Sequence, residues 1–462
     1  MFTQWVHSSL GFLCFFTSIL YITNVFFPSN LITVTYNILA AILLLCAILS
    51  IEKSNKVIVL TLLILGTYFF SIEQADSKTI LYSLGNNFNL ISIFLLVPLL
   101  GIAISVGGYL SALKEVILEY EKKGNRNPHR MGFILTICMT FVLNLGTIPI
   151  VNRIAEKSFS NYYEKKLGLI TLRAFGFSQL WSPYFVNVGL VLVLLDISWK
   201  NIALTSVILA VIYLLLCEIF NKYIFFQDDK KINPNQPNVQ HVRNESDSSK
   251  KIYSLIIFFT VLLSTSFLLD YSLSVNMLPI ITVLALFYPV FWSILIGEVK
   301  EFYYSAIEHI SLSFQWLKNE IAIFISAGYF AVSLTGTNFG ELVSNLVNFL
   351  SFGSVYILTL IIVILSIVLS LIGVHPVIIV TGIGGSLSPS FLGISSEYMA
   401  VVLLIAWVLS AQLSPFSGAV LITSRIINAS PLEVAKKNTL LVITSLLVLT
   451  LTLQICRFLK FI

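Results

Sequence analysis

The residues best placed to do chemistry sit in two broken apolar stretches. The first reads Asn144-Leu-Gly-Thr-Ile-Pro149, followed by Gln179-Leu-Trp-Ser-Pro183. The second reads Ile372-Gly-Val-His-Pro376, followed by Gln412-Leu-Ser-Pro415. Each pairs Gly-x-x-Pro with a later Gln-Leu…Ser-Pro. Pro149 matches Pro376 at an offset of 227, and Pro183 matches Pro415 at an offset of 232. A further serine follows each Ser-Pro serine at the same interval, Ser198 after Ser182 and Ser430 after Ser414. This is an internal duplication of a unit with interrupted helices.

Interrupted helices in hydrocarbon leave N–H and C=O groups without partners, at several kcal/mol each if nothing satisfies them. The freed helix N-termini favour an anion, and unwound carbonyls can ligate Na⁺. A proline in a membrane helix is more often a simple kink, but matching breaks in two aligned repeats favour a binding site. The candidate binding residues are Asn144, Gly146, Thr147 and Pro149, then Ser182, Pro183 and Asn187, in the first repeat. In the second they are Gly373, His375 and Pro376, then Ser414, Pro415, Ser417 and Arg425. His375 has Ile148 as its counterpart in this alignment. It could carry a proton, since histidine titrates near neutral pH, or cap the break. Arg425 could pair a substrate carboxylate or snorkel. Asn144 and Asn187 could touch substrate or bond between helices. Arg173 and Asp196 read as interfacial.

Composition settles the class. Hydrophobic residues make up 57% of the chain and charged residues 11%, with a mean hydropathy of +0.93. Soluble chains carry roughly 25% charged residues. Several windows of about 18 or more apolar residues are long enough to cross a bilayer, and the short alternating segments of a β-barrel are missing. The five cysteines lie in apolar segments without metal-ligand spacing, so no disulfide or metal site is indicated. The net charge of +5 suits loops against anionic lipid and calls for no nucleic acid. No removable signal peptide is read at the N-terminus.

These residues must be held by an all-α polytopic membrane protein with about 11 transmembrane helices plus two re-entrant hairpins, arranged as an inverted-topology repeat. The units expected are N-terminal transmembrane helices (1–87), a first repeat (88–226), a cytoplasmic linker (227–251), connecting helices with an interfacial helix (252–318) and a second repeat (319–462). Residues 76–87 read as a polar loop, and 298–317 as an amphipathic helix lying on the membrane surface. Glu320-Ile-Ala-Ile-Phe324 aligns with Leu90-Ile-Ser-Ile-Phe94. Lys53, Lys56, Arg153, Lys157, Lys165 and Lys166 place their loops in the cytoplasm by the positive-inside rule. The N-terminus is then cytoplasmic and the C-terminus outside. The same charges assign Gly-x-x-Pro to the hairpins and Ser-Pro to broken spans.

This pattern resembles the ion-transporter superfamily, which includes divalent-anion:sodium symporters, TRAP large membrane subunits, and citrate and arsenite carriers. The likeness is architectural and runs from about residue 31 to the C-terminus. The dicarboxylate branch carries Ser-Asn-Thr at each hairpin tip. Here those places hold Gly146-Thr-Ile-Pro149 and Gly373-Val-His-Pro376. Only the location of the site therefore carries over, onto Gly146, Thr147, Pro149, Gly373, His375 and Pro376. The resemblance implies an elevator-type motion of a hairpin-bearing domain against a scaffold.

The expectation is a secondary active transporter of the plasma membrane, not an enzyme, moving a small organic anion with Na⁺ or H⁺ as coupling ion and no other cofactor. The expected partners are that anion and the lipid bilayer, with a homodimer left open. No GxxxxGK[ST] motif occurs, which argues against a self-contained ATP-driven pump. The alternatives are a cation/proton antiporter, which needs a mid-membrane carboxylate, and a membrane glycan polymerase or ligase, which needs a large outer loop.

Overall fold

Residues 2–122, 127–159, 162–232, 245–273, 275, 277–334 and 338–462 are described by the computed structural model. Helices dominate because the apolar runs have no water to satisfy their backbone, and a helix bonds its own. Three N-terminal helices come first: α1 (Phe2–Phe26), α2 (Asn30–Ser50) and α3 (Lys53–Ile72). α4 (Ser77–Ser83) and α5 (Phe88–Val106) then form one span. The stretch expected to be a polar loop thus contains a helix. Asp76 starts it, its side chain accepting from Thr79 N at 3.0 Å.

The first repeat continues with α6 (Tyr109–Lys122) and a hairpin of α7 (Pro128–Leu143) and α8 (Thr147–Ser158). The broken span α9 (Glu164–Trp181) and α10 (Val186–Leu194) follows, then α11 (Trp199–Asn221). β1 (Tyr162–Tyr163) pairs antiparallel with β2 (Lys231–Ile232), Tyr162 opposite Ile232. That pairing folds the segment after α11 back onto the start of α9. There Asp229 accepts from Lys165 N at 2.9 Å and Lys166 N at 3.0 Å. It caps α9 from another element, supplying acceptors that the helix lacks at its own N-terminus.

The connecting helices are α12 (Glu245–Ser272), α13 (Met277–Leu295) and α14 (Val299–Leu334). The amphipathic stretch at 298–317 is not a separate surface helix. It runs unbroken into the span that follows, giving a 36-residue rod of roughly 54 Å at 1.5 Å per residue. Its early part packs on α1, where a side chain at Gly11 would meet Ile310 O at 2.3 Å, and leaves Tyr303, Tyr304 and Trp316 exposed.

The second repeat has α15 (Asn338–Leu350) and a hairpin of α16 (Val355–Leu371) and α17 (Pro376–Ser386). A broken span of α18 (Ser396–Leu413) and α19 (Gly418–Ile426) follows, and α20 (Pro431–Phe458) ends it. A 115° bend separates the end of α15 from α16.

Among the described residues, eleven helices or broken helices are long and apolar enough to cross a membrane. Five of them (α9–α10, α11, α12, α13 and α14) lie between the two hairpins. With an odd number of crossings between them, the hairpins enter from opposite faces, the inverted arrangement expected. α14 packs against α1, α2, α3 and α5, and α13 against α5. The two broken spans cross each other through α9 and α18, and each hairpin packs on its own repeat's broken span through α7–α9 and α16–α18.

Candidate functional site

The two breaks have one geometry. α9 ends at Trp181 and Ser182 follows at φ −75°, ψ 121°. α18 ends at Leu413 and Ser414 follows at φ −75°, ψ 121°. A residue before proline is pushed out of the helical region, and both serines obey. The offset of 232 holds onward, from Val186 to Gly418 at the next helix starts and from Asp196 to Asn428, both at φ 49°.

Proline also removes a donor. In a continuous helix the N–H at 183 would bond to Gln179 O, and that at 415 to Ala411 O. The chain replaces both. Asn187 Nδ2 donates to Gln179 O at 2.6 Å. Ser417 Oγ donates to Ala411 O at 2.6 Å. The equivalent carbonyl is satisfied in each repeat, by residues that are not themselves equivalent. Asn187 and Ser417 are therefore backbone-satisfying groups, and Asn187 is buried.

The hairpin tips align differently from the Gly-x-x-Pro match. α8 starts at Thr147, α17 at Pro376, and the positive-φ residues before them are Asn144 (49°) and Gly373 (94°). Both pairs stand at an offset of 229, not 227. His375 is thus the counterpart of Gly146, not of Ile148. Pro149 lies inside α8 and is exposed, so it does not form the tip. His375 Nδ1 accepts from Val377 N at 3.3 Å and caps α17. Likewise Gln412 stands at the place of Leu180, while Ser178 and Ser410 are the true counterparts.

The second break lies against both tips. Ser414 Oγ donates to Ser370 O at 2.7 Å, in the last turn of α16. A side-chain carbon at Gly373 would touch the Phe416 ring at 3.6 Å, and one at Gly418 would touch Leu145 Cδ1 at 3.7 Å. Leu145 and Gly146 of the first tip, Ser414–Gly418 of the break and Gly373–His375 of the second tip thus form one neighbourhood. It is open: Phe416 is 60% exposed, and Gly146 and Gly418 are exposed. The first break is closed, with Ser182 at 0% and Tyr184 at 1%. Arg425 is not part of this neighbourhood. It sits in the last turn of α19, exposed, seven positions after Gly418, or roughly 10 Å along the axis. There it complements the helix dipole.

Buried hydroxyls on these helices ordinarily bond the carbonyl four residues back, as Ser92, Thr136 and Thr282 do. Several near the breaks have no partner: Thr147 Oγ1 at the first tip, Ser178 and Ser182 Oγ with Gln179 Oε1 at the first break, and Ser410 Oγ before the second. Unpaired buried oxygens are rare and call for an explanation such as water or an ion. Their chemistry, neutral oxygen without thiolate or imidazole, suits an alkali cation or a proton carried by water. Among the described residues no group of three His, Cys, Asp or Glu could hold a metal.

Arg173 is held inside the protein. It is 3% exposed. Its Nε donates to Asn438 Oδ1 at 2.9 Å, Nη1 to Asn221 Oδ1 at 3.2 Å and Nη2 to Lys437 O at 2.9 Å. Asn438 Nδ2 donates in turn to Gln412 Oε1 at 3.1 Å, and Gln412 Nε2 to Leu172 O at 2.8 Å. This network ties α9 and α11 to α18 and α20, holding the two broken spans together.

The fold is similar to that of the YdaH transporter of Alcanivorax borkumensis, whose crystal structure is described as having an unusual topology. The TM-score is 0.56 at 12% identity, over 87% of this chain and 97% of that one. At that identity the likeness is one of fold. No protein-family model matches the chain, and no curated protein matches it in sequence.

Proposed function

We propose that the protein is a secondary active transporter that carries a small organic anion across the plasma membrane, coupled to Na⁺ or H⁺. The observation that carries this reading is the open break at Ser414–Gly418, set between two re-entrant tips and accompanied by unpartnered buried hydroxyls at Thr147, Ser178, Ser182 and Ser410. The start of α19 at the exposed Gly418 turns the positive end of its dipole toward this opening, which favours an anion, and the hydroxyls offer oxygen to a cation. The similarity in fold to a protein named as a transporter supports the same reading, as does the architectural resemblance to the ion-transporter superfamily. Its elevator-type motion would have the hairpins and broken spans move against the frame of α1–α5 and α12–α14.

Charge sets the proposed orientation. With the N-terminus in the cytoplasm, the outer loops and ends carry only Lys78, Lys200, Arg457 and Lys460, and the inner ones hold most other Lys and Arg. Against an antiporter, no carboxylate lies at either break among the described residues. Glu320 follows Asn319, which accepts from Asn55 at the basic start of α3, so it lies toward the cytoplasmic face. Purified protein in liposomes, offered a panel of labelled carboxylates under imposed Na⁺ and H⁺ gradients, tests the reading. Gradient-driven accumulation supports it, and passive equilibration alone rejects it.

A further inference from the structure

A cleft of about 130 Å³ opens at the basic end of the first hairpin, away from the breaks. Arg130 of α7, Lys166 of α9 and Lys222 just past α11 line it, with Glu218 of α11 as the one carboxylate among the described residues there. Arg130 Nε is 3.5 Å from Glu218 Oε1, so three cations face one anion. Two amide oxygens of the lining are already engaged: Asn127 caps Arg130 N, and Asn221 accepts from Arg173. Phe133 and Ile170 make the lining apolar on the membrane side.

The surroundings say what fits. Above Arg130, Ile134 and Cys138 are exposed on the same face of α7. Above Lys222, Leu215 and Ile219 are exposed on α11. Residues four apart share a helix face, so two apolar stripes run from the cationic cleft into the hydrocarbon. A soluble anion would need the cations but not the stripes. We propose that the cleft holds the phosphate headgroup of an anionic phospholipid, its acyl chains lying along the stripes of α7 and α11. Basic pockets between membrane helices on the cytoplasmic side recognise such headgroups. The lipid would bridge the outer arm of the hairpin to α11 and tether the hairpin at its base.

The test uses the full chain in nanodiscs of phosphatidylcholine with a minor fraction of phosphatidylglycerol, read by native mass spectrometry. Wild type should retain one phosphatidylglycerol that the double variant Arg130→Gln/Lys222→Gln loses. Each removed cation should weaken retention about fivefold. The control double variant Lys53→Gln/Lys56→Gln, on another basic loop, should retain lipid as wild type does. Equal retention by wild type and the cleft variant would overturn the proposal. So would displacement of the lipid by millimolar inorganic phosphate, which would mark a soluble-anion site instead.

Discussion

Phe94 of α5 and Phe324 of α14 meet with ring centroids 5.4 Å apart. The pair lies in the seam where α5 packs on α14. Asn87 reinforces it, its Nδ2 donating to Phe324 O at 3.2 Å. Tilted aromatic pairs are worth about 0.5–1.5 kcal/mol beyond their buried area. A double-mutant cycle of Phe94→Ala and Phe324→Ala, followed by thermal unfolding in detergent, should show coupling of that size. Strictly additive losses would mean that the rings do not interact.

The breaks make a sharper prediction. Ser417→Ala leaves Ala411 O without a donor, at a cost of about 1–3 kcal/mol, and should lower Tm. Pro415→Ala returns an N–H opposite that carbonyl. The double variant Pro415→Ala/Ser417→Ala should therefore recover part of the lost Tm while transport stays impaired, because the break itself is then closed. A double variant no more stable than Ser417→Ala would show that the serine does not stand in for the proline's missing donor.

His375 is expected to act as a cap. Asn, a good capping residue, should substitute for it, and Leu should cost about 1 kcal/mol of stability. The pH profile of uptake by His375→Asn should match wild type. A flattened profile would instead assign His375 to proton coupling.

Arg173 ties α9 to α11 and α20 through three donated hydrogen bonds, and Asn438 passes the link on to Gln412 of α18. Arg173→Leu should strip partners from buried acceptors at about 1–3 kcal/mol each, seen as a lower Tm and less folded protein. Arg173→Lys should rescue little, since an ammonium cannot reproduce the planar fork. Wild-type stability in either variant would make the network incidental.

Much of this architecture is legible from residues alone, for identifiable reasons. Hydropathy marks spans, and Ser-Pro marks breaks, because proline acts locally on the preceding residue. Register at the tips is not legible. Pro149 and Pro376 match as letters, but one lies inside α8 and the other begins α17. What aligns the tips is positive φ, which Asn144 supplies in one and Gly373 in the other. The pairing of Ser178 with Ser410 is present in the sequence but is masked by the near-match of Gln179 with Gln412. The burial of Arg173 is not legible because a guanidinium held by amides and a carbonyl leaves no paired acidic residue to announce it.

The central claim is that the unpartnered oxygens around the breaks serve a transported solute or its coupling ion. The most direct measurement is gradient-driven uptake of labelled carboxylates into proteoliposomes by wild type, Thr147→Val and Ser182→Ala, each first matched for Tm and incorporation. Both hydroxyls lack partners in the folded chain, so removing them deletes no hydrogen bond and should leave Tm near that of wild type while uptake collapses. Full uptake by both variants, or no concentrative uptake of any anion by wild type under either gradient, would contradict the account.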